Sequence, residues 1–302
     1  MFPIIPANSV ASDNKNDEGI FALGYAGGSL SMSNLVSNSG VVASDVTGVG
    51  TARSGVGGCE YGYDKGIIGF GYSHTTSSQF SATNLVSNAG VVASDVTGVG
   101  SARAYLAACS YGGDKGIFGY GAGSGWANLS TTNLVSNSGV VASDVTGVGT
   151  VRSYLAATEY GEDKGIFGYG NPGNLSMTNL VSNAGVVASD VTGVGTGRHA
   201  LAACRYGEDK GIFGYGNPGF VSMTNLVSNL GVVSTDVTGV GTGRYGVGAT
   251  QYGEDKGIFA YGYVTIVENV SMSNLVSNVG VVGTDVTGVG TPRDALAACS
   301  FN

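Results

Sequence analysis

"RYGEDKGIFGYGNPG" runs from Arg205 to Gly219, and "EYGEDKGIFGYGNPG" runs from Glu159 to Gly173, 46 residues earlier. Each copy contains G-x-G-x-x-G, at Gly168, Gly170 and Gly173 and again at Gly214, Gly216 and Gly219. A dinucleotide loop needs a helix N-terminus behind those glycines, so that backbone N–H groups can meet a pyrophosphate. Here Asn174-Leu175-Ser176-Met177 leads into another stretch of strand character, and the whole segment recurs. The glycines therefore read as architecture, allowing close approach of neighbouring segments and a tight turn.

The recurrence extends along the chain. "NLVSN" begins at Asn34, Asn84, Asn133, Asn179, Asn225 and Asn274, in steps of 50, 49, 46, 46 and 49 residues. Each is followed by G-V-V and then by [ST]-D-V-T-G-V-G, with an arginine eight residues after the aspartate. A run such as "YLAACSYG" comes next, then the D-K-G-I-F-G-Y-G stretch. Within one copy the sequence predicts four strands: the run after the arginine (for example Tyr105–Tyr111), "GIFGYG", "SMTNLVSN" and "VVASDVTGV". Turn residues in Gly-x-Asp-Lys-Gly, set between two apolar runs, are a hairpin signal. No segment shows a sustained 3.6-residue apolar period with caps, so no helix is expected. Six copies of four short strands at this period predict an all-β chain folded as a six-bladed β-propeller.

The ends of the array fit closure. "DEGIFALGY" (17–25) begins at the second strand of a copy, and "RDALAACSFN" (293–302) stops after a first strand. Pairing them completes one blade and removes two free sheet edges. The expected organisation is an N-terminal extension over 1–16 and one domain over 17–302. Its blades fall near 293–302 plus 17–50, then 51–100, 101–149, 150–195, 196–241 and 242–290.

These residues resemble the kelch repeat, in the order R-x-x-x-A-A-x-x-Y-G-x-D-K-G-I-F-G-Y-G, then N-L-V-S-N, then a fourth strand. The resemblance implies propeller blades of four strands. It departs from the kelch pattern in having no tryptophan on the fourth strand and no double glycine ending the second. The repeat also resembles kelch-like arrays of bacteriophage virion and tail-associated proteins. That likeness implies a non-enzymatic structural or adhesive module that assembles with other virion or tail proteins or contacts a host-surface glycan or receptor. It further implies a virion location after synthesis in the host cytoplasm. A carbohydrate-binding propeller, as a cytoplasmic or extracellular soluble protein, is the alternative. A glycan-active or oxidase propeller is the third reading.

Composition narrows the classes. Glycine supplies 54 of 302 residues, more than twice the usual share of about 7%. The formal net charge is −8 and there is no basic patch, which argues against nucleic-acid binding through phosphates. The N-terminal "MFPIIPANSVASDNKND" has no basic region and is a poor secretion signal, and no apolar run reaches the ~18 residues of a membrane span. Cys59, Cys109, Cys204 and Cys299 hold one repeat position, shared with Thr158 and Thr250, so they read as small packed thiols rather than a disulfide or metal set. No cofactor and no metal are expected.

The polar signals divide into two groups. Asp45, Arg53, Asp95, Arg103, Asp144, Arg152, Asp190, Arg198, Asp236, Arg244, Asp285 and Arg293 recur identically, and identical use in every copy points to structural ion pairs between blades. His199, by contrast, occupies a position held elsewhere by Ser54, Ala104, Ser153, Tyr245 and Asp294, expected at one mouth of the channel. Ser153, His199 and Asp294 sit in different copies, which does not suit a catalytic triad. Two histidines are also too few for the copper chemistry that some kelch propellers carry. Sequence variation concentrates between the second and third strands, where Trp126, His74, Phe80, Phe220, Tyr263 and Glu268 lie. With His199, Tyr245 and Asp294 they form the expected binding face. Three Asn-x-Ser sequons, at Asn128, Asn174 and Asn269, read as incidental loop residues.

Overall fold

The computed structural model describes residues 16–265 and 268–302; the expected extension over 1–16 lies outside these residues except for Asn16. The described chain is all-β apart from a single 3-10 turn at Ser124–Trp126. Six three-stranded antiparallel sheets follow one another, with two further two-stranded ribbons in the loops. A representative sheet pairs Ala156–Tyr160 with Lys164–Gly170, and the latter with Leu175–Val181. At the hairpin, Gly161 and Glu162 both take positive φ (58° and 68°), which reverses the chain between Tyr160 and Lys164. Apolar and β-branched residues fill all three strands, and Ile166, Phe167 and Val181 are wholly buried.

The two ends of the chain share one sheet. Glu18–Tyr25 pairs with Ser29–Val36 on one side and with Ala297–Phe301 on the other, in the register Glu18↔Phe301 to Ala22↔Ala297. The first strands of successive sheets pack side by side: Gly57–Tyr61, Ala107–Tyr111, Ala156–Tyr160, Ala202–Tyr206, Gly248–Tyr252 and Ala297–Phe301, and the last packs against the first.

Backbone hydrogen bonds run through the same circuit. Tyr105 N–H donates to Gly55 C=O, Tyr154 to Tyr105, Ala200 to Tyr154, Gly246 to Ala200, Ala295 to Gly246 and Gly55 to Ala295, at 2.7–2.9 Å. All six residues hold φ between 51° and 65°. At the hairpin end a second circuit links the amides of Gly62, Gly112, Gly161, Gly207, Gly253 and Asn302 to the carbonyls of Asp114, Asp163, Asp209, Asp255, Asp17 and Asp64.

The core lies between neighbouring sheets. Ala156, Tyr160, Ile166 and Tyr169 of one sheet meet Leu201, Phe213 and Val227 of the next. The glycines of "KGIFG" make room for this contact. A Cβ on Gly165 would stand 2.6 Å from Cys109 Sγ, and one on Gly168 would stand 2.8 Å from the Phe213 ring. The cysteines are free and buried, each tucked against a glycine of the adjoining sheet in this way or replaced there by Thr158 or Thr250.

The expected fourth strand differs. "VVASDVTGV" makes only single-residue bridges to the third strand, such as Val36↔Val42 and Ser33↔Val46. The reason is local. The Asn34 side-chain amide inserts between the two segments and donates to Ala43 C=O and to Asp45 Oδ1, both at 2.9 Å, where a regular ladder would pair backbone with backbone. The same insertion recurs at Asn84, Asn133, Asn179, Asn225 and Asn274.

Candidate functional site

Two polar constructions stand out, one repeated and one not. In the repeated one, six arginines are fully buried. Their aspartate partner is not the one eight residues earlier, and in this respect the sequence-based pairing is corrected. Arg53 approaches Asp95, Arg103 Asp144, Arg152 Asp190, Arg198 Asp236, Arg244 Asp285, and Arg293 reaches back to Asp45, at 3.7–4.0 Å. The arginine opens a repeat and the aspartate ends it, so the pair clasps one sheet rather than bridging two.

The tighter partner is neutral. Arg103, Arg152, Arg198, Arg244 and Arg293 each donate to the Oδ1 of the N-L-V asparagine at 2.5–2.7 Å, and Arg53 makes the same bond to Asn84. Contact across the seam comes from stacking: the Arg103 guanidinium lies 4.2 Å over the Phe70 ring of the preceding repeat, and Arg152, Arg198, Arg244 and Arg293 cover Tyr120, Tyr169, Tyr215 and Tyr261 in the same way. Burial lowers the arginine pKa values, Arg103 to about 10, while the aspartates pull the other way. Burial opposes ionisation of Asp190, but bonds from the Thr150 hydroxyl, Asn179 and the Thr150 amide hold it below the ordinary carboxylate range. The asparagine was visible in the sequence as the invariant start of N-L-V-S-N, but its role as the hub was not read from it.

The construction that breaks the repeat lies along the line where the first strands meet. A cavity of about 450 Å³ opens there, rimmed by Tyr25, His74, Tyr105, Tyr154, Tyr245 and Asp294 above an apolar wall that includes Leu106, Leu155, Leu201 and Leu296. Rings run along the rim in contact. His74 lies 4.5 Å from Tyr25 and 4.8 Å from Tyr72, and Tyr72 lies 5.0 Å from Trp126. Trp126 meets Tyr105 at 5.9 Å, and Tyr105 stacks on Tyr154 at 4.0 Å. In a second group Tyr245 lies 5.4 Å from Phe220 and 5.4 Å from Tyr263.

The structure thus brings together most of the residues expected on the binding face. Trp126 is 50% exposed, and it sits at φ 61° on its 3-10 turn. His74 is exposed, with Nδ1 3.0 Å from the Ser29 hydroxyl. Phe80 is half-buried, and Glu268 is exposed in the ribbon it shares with Tyr263. Ser153, His199 and Asp294 do not form a hydrogen-bonded set: His199 Nδ1 is 2.7 Å from Asn174 Oδ1, and Asp294 Oδ1 has no hydrogen-bond partner. Burial pushes the Asp294 carboxyl up to about 6 and lowers His74 and His199. Tyr105 and Tyr154, next to the predicted mouth position in sequence, were not singled out. Their positive φ, 54° and 55°, turns the chain at the rim.

At the opposite end the line of first strands narrows to a void of about 60 Å³. One repeat position there reads Glu60, Ser110, Glu159, Arg205, Gln251 and Ser300. Arg205 donates to Glu159 at 2.7 Å, Ser300 to Glu60, and Gln251 to the Asn16 carbonyl at 3.3 Å. Burial pushes Glu159 up although Arg205 pulls it down. Among the described residues no cluster of three or more His, Cys, Asp or Glu could hold a metal, and no helix is long and apolar enough to cross a membrane. Comparison with models of protein families and with curated proteins finds no match.

Proposed function

We propose that the chain is a six-bladed, kelch-like β-propeller and that it serves as a non-enzymatic attachment module, with the aromatic rim as its ligand face. Support for the ring comes from the shared terminal sheet and from the two circuits of backbone hydrogen bonds that return to their starting repeat. The observation that carries the function is where the symmetry fails. The seams repeat the same arginine, asparagine and aspartate six times, whereas the rim gathers Tyr25, His74, Tyr105, Tyr154 and Asp294 around one cavity, with Trp126 against Tyr105. A partner that must bind in one orientation gains nothing from six equal surfaces. Large aromatic anchors on a fixed scaffold are the residues that commonly dominate such contacts.

The likeness of the repeat to phage arrays supports an attachment role on a virion or tail, toward another structural protein or a host surface. A glycan is the alternative ligand, and the half-exposed Trp126 with the neighbouring Tyr72 favours it, because a flat ring can face a sugar while nearby hydroxyls bond to it. The test replaces Trp126 and Phe220 with alanine, confirms the fold by circular dichroism, and measures particle incorporation, adhesion and binding to a glycan array. Loss in either variant of about 2 kcal/mol or more supports the rim. Unchanged binding, with loss on mutating the Asp-Lys hairpin turns, moves the function to the other face.

A further inference from the structure

We infer that the rim cavity is a receptor for an organic cation, an alkylated ammonium group held against Asp294 inside the ring of tyrosines. The inference rests on the reading of the rim as the ligand face and names the chemistry it takes. Among the described residues lining the cavity Asp294 is the one carboxylate, and none is a lysine or arginine. Its Oδ1 is buried without a hydrogen-bond partner, whereas the buried acids Asp114 and Glu159 are met by Lys115 and Asn137 and by Arg205. An unmet acceptor of this kind costs stability unless a ligand completes it.

The surroundings select the ligand. Tyr25, Tyr105, Tyr154, Tyr245 and His74 line the same space, and aromatic faces attract a cation through their quadrupoles. Burial raises the Tyr105, Tyr154 and Tyr245 hydroxyls; the charge of Asp294 comes next for Tyr245 and adds a smaller push, behind the mutual Tyr105–Tyr154 contact, for the other two. The backbone seats Asp294 there: Tyr25 N–H donates to Asp294 C=O at 2.8 Å, and a Cβ on Gly246 would lie 3.2 Å from Asp294 Oδ2. A strongly hydrated metal ion requires several hard oxygens, and the described residues offer no such cluster. A weakly hydrated ammonium requires one carboxylate, ring faces and an apolar wall for its alkyl groups, which Leu106, Leu155, Leu201 and Leu296 provide. A neutral sugar could bond to Asp294 but would leave its charge uncompensated.

The protein carries its own reporter, because its single tryptophan, Trp126, stacks beside Tyr105 on the rim. Choline and tetramethylammonium are titrated into the full chain while tryptophan emission and heat are followed. Dimethylbutanol, the uncharged carbon isostere of choline, is the control. The expected result is saturable binding of both cations and a dissociation constant for dimethylbutanol larger by about tenfold or more. In Asp294→Asn the preference for choline over dimethylbutanol should fall to about twofold or less. Vesicles of phosphatidylcholine, compared with free choline, show whether the headgroup is taken from a membrane or from solution. Equal affinity for choline and dimethylbutanol in the unaltered protein, or a preference that survives Asp294→Asn, overturns the inference. Glycans that bind in a Trp126-dependent way while choline does not would leave the rim as ligand face and remove the cation. Adhesion untouched by Trp126→Ala and Phe220→Ala would remove the rim itself.

Discussion

The arginine seams and the rim are built from adjacent residues yet follow opposite rules. Arg198 and His199 are neighbours in sequence, and so are Arg293 and Asp294. The arginine is buried in all six repeats, where it bonds to an asparagine and approaches an aspartate, and in five of them it covers an aromatic face of the preceding repeat. The next position is serine, alanine, serine, histidine, tyrosine or aspartate. The difference teaches where the constraint comes from. Packing against an identical neighbour demands an identical answer each time, while the next position is free to vary, and three of its members, Ser54, Tyr245 and Asp294, line the cavity. Repetition thus marks the packing within and between sheets, and its failure marks the candidate site.

The comparison breaks most severely if the circuit opens. Removing 294–302 deletes the strand Ala297–Phe301 and strips one edge of Glu18–Tyr25. It also cuts both hydrogen-bond circuits, at Ala295 and at Asn302. Exposed strand edges pair with other chains, so the expected outcome is aggregation or a large loss of melting temperature, read by scattering and calorimetry. A truncated chain that melts like the intact one would show that each sheet stands alone, and the seam would then carry no load.

The second break leaves the circuit closed and attacks one seam. Arg198→Ala takes donors away from Asn225, the Thr196 carbonyl and the Tyr215 carbonyl, and uncovers the Tyr169 ring. Removing one member of a buried charged network costs about 3–5 kcal/mol, because the others stay buried without it. Asn225→Ala should approach that loss, since Asn225 also ties Ser234 and Asp236 to the sheet. Asp236→Ala should cost less, because its side chain is 30% exposed and stands 3.8 Å from the guanidinium. Lys210→Ala, in an exposed hairpin pair, should change the melting curve far less than any of these. An order in which Asp236 outranks Asn225 would restore the ion pair as the main bond of the seam.

Much of the fold was legible in the sequence because it is written six times. The period, the hairpin turns, the first three strands and the pairing of the chain ends follow from residues that differ little between copies. The fourth strand was misread for a physical reason. "VVASDVTGV" has the alternation of a strand, but alternation does not report that a side-chain amide from the preceding strand will occupy its hydrogen bonds, as Asn34 does at Ala43. The arginine partner was misassigned for a related reason: sequence distance favoured Asp45 for Arg53, whereas the return of the chain through a whole sheet brings Asp95 to it. At the rim, variable length and the lone tryptophan pointed to loops that the structure brings near the cavity, with His74 and Tyr245 lining it and Trp126 touching Tyr105. The stacked pair of Tyr105 and Tyr154 was hidden because each follows a residue that itself seemed to mark the mouth.

The smallest effect is the one that most sharpens the contrast between seam and site, because its sign is opposite. Every seam substitution should destabilise; Asp294→Asn should stabilise. Burial raises the Asp294 carboxyl from an ordinary 3.8 to about 6 in the folded protein. The folded state therefore binds this proton more tightly than the unfolded state does. The resulting penalty is absent below the unfolded value, grows as pH rises from 3.8 toward 6, and is fully present above that. A shift of this size corresponds to at most about 3 kcal/mol, and partial exposure at the mouth trims it to about 1–2 kcal/mol. Asparagine carries no such charge, so Asp294→Asn should melt higher than the parent at pH 8 and lose that advantage near pH 4. Thermal melts of the two proteins across this range provide the check. A variant that melts lower at pH 8 would mean that the carboxylate holds the rim together, as the seam aspartates hold their sheets. A variant that melts higher would identify a residue that weakens the empty protein, which fits a group kept for what it binds.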